Sequence, residues 1–369
     1  MALLANRNAV VLLDMAGCPN RCRHCWLGTA PNRRLEPDDL RRMAKVFRRW
    51  RKPGESDPFF ERLGFASWYR EPDFAPNYRE LYELERELSD DNASRFELLS
   101  IWRLARDPGY AAWAREVGTE ACQITFFGLE ATTDWFTRRR GSFQDALTAI
   151  ERLIEAGIRP RWQVILTKSF LPEAEAFVEL VRGLHLEERV EGLGAPFRVF
   201  LNTPSPNGEA FAIEDRRVEA ADLESLPACL VDQTLAHFGA RDLSEALGRP
   251  EAELLPELAV EKGTVAERPG TLPTRLAFVV DSNFGVYTNM DETAPWCCLG
   301  HLWEDGLDTV MRRLEEDATP GLQALFQVPV AVLASRYGRP DSQCLYSPSD
   351  LLARWVRLWA QERWQAGAR

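Results

Sequence analysis

The chain has 369 residues, 45% hydrophobic and 27% charged, with 45 basic against 56 acidic side chains and a formal net charge of −11. That is the composition of a globular protein of about two domains. It excludes collagen-like, coiled-coil and disordered chains and argues against nucleic acid as a partner, and no apolar run approaches the ~20 residues of a membrane span.

The predicted elements alternate along the chain. Residues 9–13 form a short apolar run that reads as a buried strand. A loop follows at once, Gly17-Cys18-Pro19-Asn20-Arg21-Cys22-Arg23-His24-Cys25-Trp26, marked by its Pro and Asn. A helix opens near Pro37, with Asp38 and Asp39 in the first turn, where carboxylates suit the macrodipole. Further strands are expected over residues 63–69, 96–102, 121–127, 162–166 and 197–201. Helices separate them over residues 78–88 and 110–117, from a Ser142 cap to Gly157, and over 172–184. Six strands alternating with helices predict a parallel α/β sheet, two units short of an eightfold barrel. In such sheets chemistry collects at the carboxyl ends of strands, where the cysteine loop lies.

The pattern changes after Asn202-Thr203-Pro204-Ser205-Pro206-Asn207-Gly208. Residues 214–238 read as helical and 248–270 as a connector rich in Pro, Glu and Gly. Residues 275–280 and 285–288 read as a hairpin around Asp281-Ser282-Asn283, and 305–314 and 350–364 as helices. The expected division is residues 1–205, a helical connector over 206–270, and a C-terminal domain over 271–369. The N-terminus has no basic stretch followed by a long apolar core, so no signal peptide is expected and the assigned compartment is the cytoplasm.

Eight cysteines in such a protein are expected to be reduced, so a cluster of them reads as metal-binding or catalytic. Cys18, Cys22 and Cys25 have the form C-x3-C-x2-C on one loop. Thiolates are the ligands of iron–sulfur clusters, and three ligands for four irons leave one iron open for a substrate or cofactor. A zinc site is the alternative; it needs a fourth ligand that is not evident nearby, and His24 sits awkwardly beside Cys25.

These residues resemble the radical S-adenosylmethionine (radical SAM) superfamily, whose motif is C-x3-C-x-aromatic-C; His24 stands in the aromatic position and is expected at the cofactor. The resemblance implies an α/β fold, a partial (β/α)6 TIM barrel with a smaller α+β C-terminal domain. It implies a [4Fe-4S] cluster on Cys18, Cys22 and Cys25 whose open iron is chelated by the amino and carboxylate groups of S-adenosylmethionine. Reductive cleavage of the sulfonium would then give methionine and a 5′-deoxyadenosyl radical that abstracts hydrogen from a substrate.

The resemblance extends over about residues 9–204. The family's Gly-Gly-Glu-Pro-like turn after the second strand reads here Tyr69-Arg70-Glu71-Pro72, without either glycine; Glu71 is expected to receive the methionine ammonium. Ile124-Thr125-Phe126-Phe127-Gly128-Leu129-Glu130, then Asp134 and Arg140-Gly141-Ser142-Phe143, resemble the fourth strand and its helix. Thr125 and Glu130 are expected to face the cofactor ribose or the substrate, and one of Arg138, Arg139 and Arg140, with Arg140 chosen, the methionine carboxylate. Lys168 ends the fifth strand in a chain with only four lysines; burial would lower its pKa and suit it to proton chemistry, the alternative being a snorkelling surface Lys.

Residues 279–287 and Leu299-Gly300-His301-Leu302 resemble the SPASM or twitch extension of many radical SAM enzymes. That extension normally carries cysteines for auxiliary clusters, one near the position held here by Asn289 or Met290. Only Cys297, Cys298 and Cys344 remain, so the domain is read as degenerate, with an auxiliary cluster as the lesser alternative. A redox-neutral outcome is then the natural one, with Cys298 a candidate to return a hydrogen atom. The leading reading is a radical SAM enzyme acting on a small molecule in specialised biosynthesis, with Cys18 expected to lie too near the N-terminus for a leader-peptide-binding domain. A peptide-modifying enzyme using a separate recognition protein is the nearest rival, and a structural or sensing iron–sulfur or zinc protein the rival of another class. The expected partner is an acidic reductant such as flavodoxin or ferredoxin, received by the Arg-rich first helix (Arg41, Arg42, Arg48, Arg49, Arg51). No membrane partner is expected.

Overall fold

The computed structural model describes residues 3–5, 7–91, 95, 97–271, 275–288 and 293–367; Asn289 and Met290 lie outside them. Ten strands are present among these residues: β1 Asn8–Asp14, β2 Arg62–Ala66, β3 Ala121–Phe126, β4 Arg159–Ile165, β5 Arg198–Asn202, β6 Arg249–Pro250, β7 Leu276–Asp281, β8 Gly285–Thr288, β9 Cys298–His301 and β10 Leu345–Tyr346. The helices of the first half are α1 Pro37–Arg49, α2 Tyr78–Leu88, α3 Ile101–Arg106, α4 Tyr110–Glu116, α5 Glu130–Thr137, α6 Ser142–Glu155, α7 Ala174–Gly183 and α8 Leu186–Glu191. Those of the second half are α9 Ala228–Phe238, α10 Leu243–Leu247, α11 Glu251–Ala259, α12 Gly306–Glu315, α13 Pro320–Phe326, α14 Val330–Tyr337 and α15 Pro348–Gly367. None is long and apolar enough to cross a membrane.

Parallel strands β2-β1-β7 and β3-β4-β5 build a partial barrel in two sheets, β8 and β9 extend the first sheet antiparallel, and the helical C-terminal region packs beside it. Each strand splits its side chains between two faces. On β3, Cys122, Ile124 and Phe126 enter the core shared with α4, α6 and α7, while Gln123 and Thr125 turn the other way, into a cavity.

The expected strand over residues 96–102 is not formed. Phe96 lies outside the described residues, Glu97 accepts one backbone bond from Gln123 N (2.9 Å), and Ser100 caps α3 by accepting from Arg103 N at 3.1 Å. A serine at an N-cap turned the chain into a helix where its apolar neighbours suggested a strand. The sheet edges left open are closed by side chains. On β2 and just past its end, the N–H groups of Leu63, Phe65 and Ser67 donate to Asp90 Oδ2 (2.7 Å), Ser89 Oγ (2.9 Å) and Glu85 Oε1 (2.6 Å). On β5, Val199 N and Leu201 N donate to Gln233 Oε1 and Thr234 Oγ1, both at 3.0 Å. Backbone donors that a strand would have taken are thus satisfied without one.

Other expectations change in detail. Residues 214–238 are not one helix but 3₁₀ turns over Gly208–Arg216 and Ala220–Ser225 followed by α9. The expected connector over 248–270 contains α11 and the short β6, which pairs antiparallel with β10. Gly141, not Ser142, is the N-cap of α6; Asp134 supplies the capping carboxylate, accepting from Gly141 N at 2.5 Å and Phe143 N at 3.0 Å. The hairpin β7–β8 forms as expected, and β7 also runs parallel to β1, pairing Ala9–Asp14 with Leu276–Asp281. The first strand of the chain and the hairpin that begins at residue 276 therefore share one sheet.

Candidate active site

The cysteine loop leaves the carboxyl end of β1 with no regular structure, so its order depends on individual ties. Gly17 makes the first turn at φ +76°, where a Cβ would strike Asn32, whose Oδ1 accepts from Cys18 N at 3.0 Å. Around Cys22, Arg21 N and Arg23 N donate to the last carbonyls of α5, Thr137 O (3.1 Å) and Phe136 O (2.7 Å). Cys25 O accepts from Gly28 N (3.1 Å) and Glu209 N (2.9 Å). Gly208 lies flush on this turn at φ +58°, and a Cβ there would meet the carbonyls of Cys25 and Trp26.

Cys18, Cys22 and Cys25 line a cavity of about 510 Å³ at the carboxyl ends of β1, β2 and β3. Burial pushes all three thiols above the ordinary thiol range. A metal would therefore have to displace their protons. The donor set fits a [4Fe-4S] cluster, in which each thiolate takes its own iron.

Glu71 reaches the same cavity from the turn after β2. Its Oε1 accepts from Ser100 Oγ at 2.7 Å and its Oε2 stands 3.9 Å from Cys18 Sγ. Burial pushes the carboxyl up to about 7 against the pull of Ser100 and Arg139; a cationic ligand would bring it down again. His24 packs on Phe127 with ring centroids 4.4 Å apart, and burial lowers its pKa to about 4, so the ring is neutral. Thr125 lies on the inner face of β3, with its Oγ1 3.4 Å from Gln163 Oε1.

The structure brings Cys18, Cys22, Cys25, His24, Glu71 and Thr125 together and places the other candidates elsewhere. Glu130 is exposed at the first position of α5, 3.2 Å from Gln144 Nε2; Glu173 holds that helix end instead, accepting from Leu129 N at 2.6 Å. Arg140 is exposed, because Arg138 ends α5 at φ +53° and the following turn sends only Arg139 into the cavity. Lys168 is not buried: β4 ends at Ile165, and the lysine lies in the turn beyond, about 40% exposed and 2.6 Å from Glu219 Oε1. Its hydrogen bond to Glu219 raises its pKa, opposite to the expected direction. Cys298 packs with Val279, Tyr287 and Cys297 behind Leu12 and Tyr69; of that group only Leu12 and Tyr69 line the cavity. Cys344 packs elsewhere, against the core of the C-terminal helices.

Sequence reasoning named Arg139 only as one of three candidate arginines and missed Ser100, Gln123 and Gln163. Arg139 faces the cavity, with Nε 2.5 Å from Asn20 Oδ1 and an ion pair to Asp145. Ser100 orients Glu71. Gln123 and Gln163 form an amide ladder across β3 and β4, Nε2 to Oε1 at 2.6 Å. The alternation of polar with apolar residues on β3 and β4 was the signal for the glutamines. No local signal marks Ser100, which lies 29 positions from its partner.

Residues 12–175 match the model of the Radical SAM superfamily. No curated protein matches the chain. Among solved structures, a hexahistidine-tagged anSMEcpe with bound AdoMet is 13% identical over 98% of this chain and 95% of its own, with a TM-score of 0.50. Native anSMEcpe with bound AdoMet is 14% identical over 98% and 99%, at 0.48. SuiB of Streptococcus suis bound to S-adenosylmethionine is 12% identical over 94% and 69%, at 0.41. The likeness at 0.50 is one of fold.

Proposed function

We propose that this chain, whose residues 12–175 match the Radical SAM superfamily, is a radical SAM enzyme that cleaves S-adenosylmethionine at a [4Fe-4S] cluster on Cys18, Cys22 and Cys25 to act on a small molecule in specialised biosynthesis. The observation that carries this reading is the convergence of the three thiols and Glu71 on one cavity of about 510 Å³. That volume is in the range of small-molecule sites. When bound, the cluster and S-adenosylmethionine supply an electron and a hydrogen-abstracting carbon radical.

The chain's own residues do the binding and shielding. Glu71, held by Ser100, receives the ammonium of the cofactor. Arg139, one of the arginines lining the cavity, is the cation for its carboxylate in place of the exposed Arg140. Phe127 and the neutral ring of His24 cover one side of the thiols with apolar surface. Thr125, Gln123 and Gln163 offer hydroxyl and amide groups to the ribose or the substrate. The C-terminal region is a SPASM-like extension without a demanded auxiliary cluster, which favours a redox-neutral outcome. A flavodoxin or ferredoxin in the cytoplasm supplies the electron.

The test is anaerobic reconstitution of the full chain, with iron and sulfide analysis, EPR with and without S-adenosylmethionine, and assay of 5′-deoxyadenosine with dithionite. Four irons per chain, a spectrum perturbed by the cofactor, and cleavage lost when Cys18, Cys22 or Cys25 becomes Ala support the reading. About eight irons would point to an auxiliary cluster and an oxidative reaction. No iron, or a cluster indifferent to the cofactor, would overturn it in favour of a structural metal protein.

A further inference from the structure

Arg70 stands where the resembling turn would have a glycine, and its side chain is 3% exposed. It does not point to solvent or into a hydrophobic core. Nη1 donates to Asp14 Oδ2 at 2.5 Å, at the carboxyl end of β1, and Asp14 is itself 1% exposed. Nε donates to Gly28 O at 3.0 Å and Nη2 to Leu27 O at 2.6 Å. Nη2 also donates to Thr293 Oγ1 at 3.1 Å. One guanidinium thus binds the last residue of β1, the end of the cysteine loop and the C-terminal region. A guanidinium presents its donors in a fixed fork and cannot be deprotonated, so the carbonyls it holds have little freedom relative to it.

Most other ties of the loop cover its earlier part, and at Cys25 itself Glu209 N donates to the carbonyl at 2.9 Å. Asn32 holds Cys18, and α5 holds the residues on both sides of Cys22. Beyond Cys25 the carbonyls of Leu27 and Gly28 both turn to Arg70, and the Cys25 carbonyl accepts from Gly28 N. Cys25 is therefore held by Glu209 on one side and from downstream through Gly28, and Gly28 is fixed by Arg70.

We propose that Arg70, anchored by Asp14, is a positioning residue that holds Cys25 in register with Cys18 and Cys22. The proposal rests on the reading of these cysteines as cluster ligands, but its first test does not. In the metal-free full chain, Arg70→Met should raise amide exchange over residues 25–30 at least tenfold by mass spectrometry and leave β3 and β4 unchanged. Arg70→Lys should restore part of the protection. Unchanged exchange over residues 25–30 in a folded Arg70→Met chain would overturn the proposal. If Arg70→Met loosens the whole chain, Asp14→Asn decides: it removes the anchor and keeps the carbonyl contacts. Local loosening over residues 25–30 supports the proposal, and none overturns it. In iron-loaded protein, Arg70→Met should change the EPR line shape and Arg70→Lys bring it back towards wild type. An identical spectrum in all three would also overturn the positioning role. Failure of wild type to assemble a cluster would count against the proposed function and leave the exchange result standing.

Discussion

The Cys18 thiol and the Glu71 carboxylate stand 3.9 Å apart although 53 positions separate them in the chain. Ser100 is the group that holds this buried acid beside the three thiols, and among the described residues no cation bonds to it. Glu71→Gln should therefore keep the cluster cysteines in place and lose affinity for S-adenosylmethionine. A hydrogen bond to a charged group is worth ~1.5–3 kcal/mol, or roughly ten- to over a hundredfold in affinity. Titration of the cofactor-perturbed EPR signal checks this; iron content should stay at the wild-type level.

Much of the barrel half was legible because its elements are periodic and locally punctuated. Residues 9–13, 63–69 and 121–127 alternate or run apolar between turns, and all three contain strands. The cysteine loop was legible because metal-ligand spacing is short-range. What the sequence hid depends on side chains acting at a distance. The third strand is missing because Ser89, Asp90 and Glu85 take the edge of β2 and Ser100 starts a helix. Three consecutive arginines read alike until the backbone at Arg138 turns left-handed and selects Arg139. Lys168 could be read as buried or as a surface lysine from the apolar run before it, and the surface reading holds because β4 ends three residues before it.

Thr234 closes the open edge of β5 from α9. It is fully buried; its Oγ1 accepts from Leu201 N at 3.0 Å and donates to Leu230 O at 2.6 Å. Thr234→Val keeps the shape and strands the Leu201 donor. An unsatisfied buried group costs about 1–3 kcal/mol. Urea unfolding should report a loss in that range, with the slope unchanged. A loss below about 0.5 kcal/mol, the low end for a typical hydrogen bond, would mean that the edge relaxes to find another acceptor.

Lys168 offers the opposite case. Its pair with Glu219 has both side chains about 40% exposed, and such pairs contribute at most ~1 kcal/mol. Lys168→Ala should leave stability nearly unchanged and S-adenosylmethionine cleavage within about twofold of wild type. A loss of more than tenfold in product formation with intact cleavage would return the lysine to the chemistry on the substrate.

Glu214 ties the turn that rests on the cysteine loop to the C-terminal helix. Its Oε1 accepts from Tyr346 Oη at 2.6 Å and from Arg354 Nε, and Arg339 Nη1 lies 3.6 Å from Oε2. Burial alone would raise its carboxyl, but Arg354, Tyr346 and Arg339 together hold it below the ordinary Glu value of 4.5. A carboxyl depressed in the folded state stabilises the fold above the unfolded pKa. As the pH falls below about 4.5 the unfolded chain takes the proton first, and that stability is lost progressively through the folded value. Glu214→Gln removes this dependence and leaves the 9% exposed Arg354 without its counter-charge. The variant should be less stable at pH 7 by about 3 kcal/mol, the lower end for a broken buried pair. Denaturant melts from pH 7 to 3 check both parts. The gap between wild type and variant should hold steady down to about pH 5 and narrow below 4.5, and a gap constant throughout would show that the three partners do not depress the carboxyl.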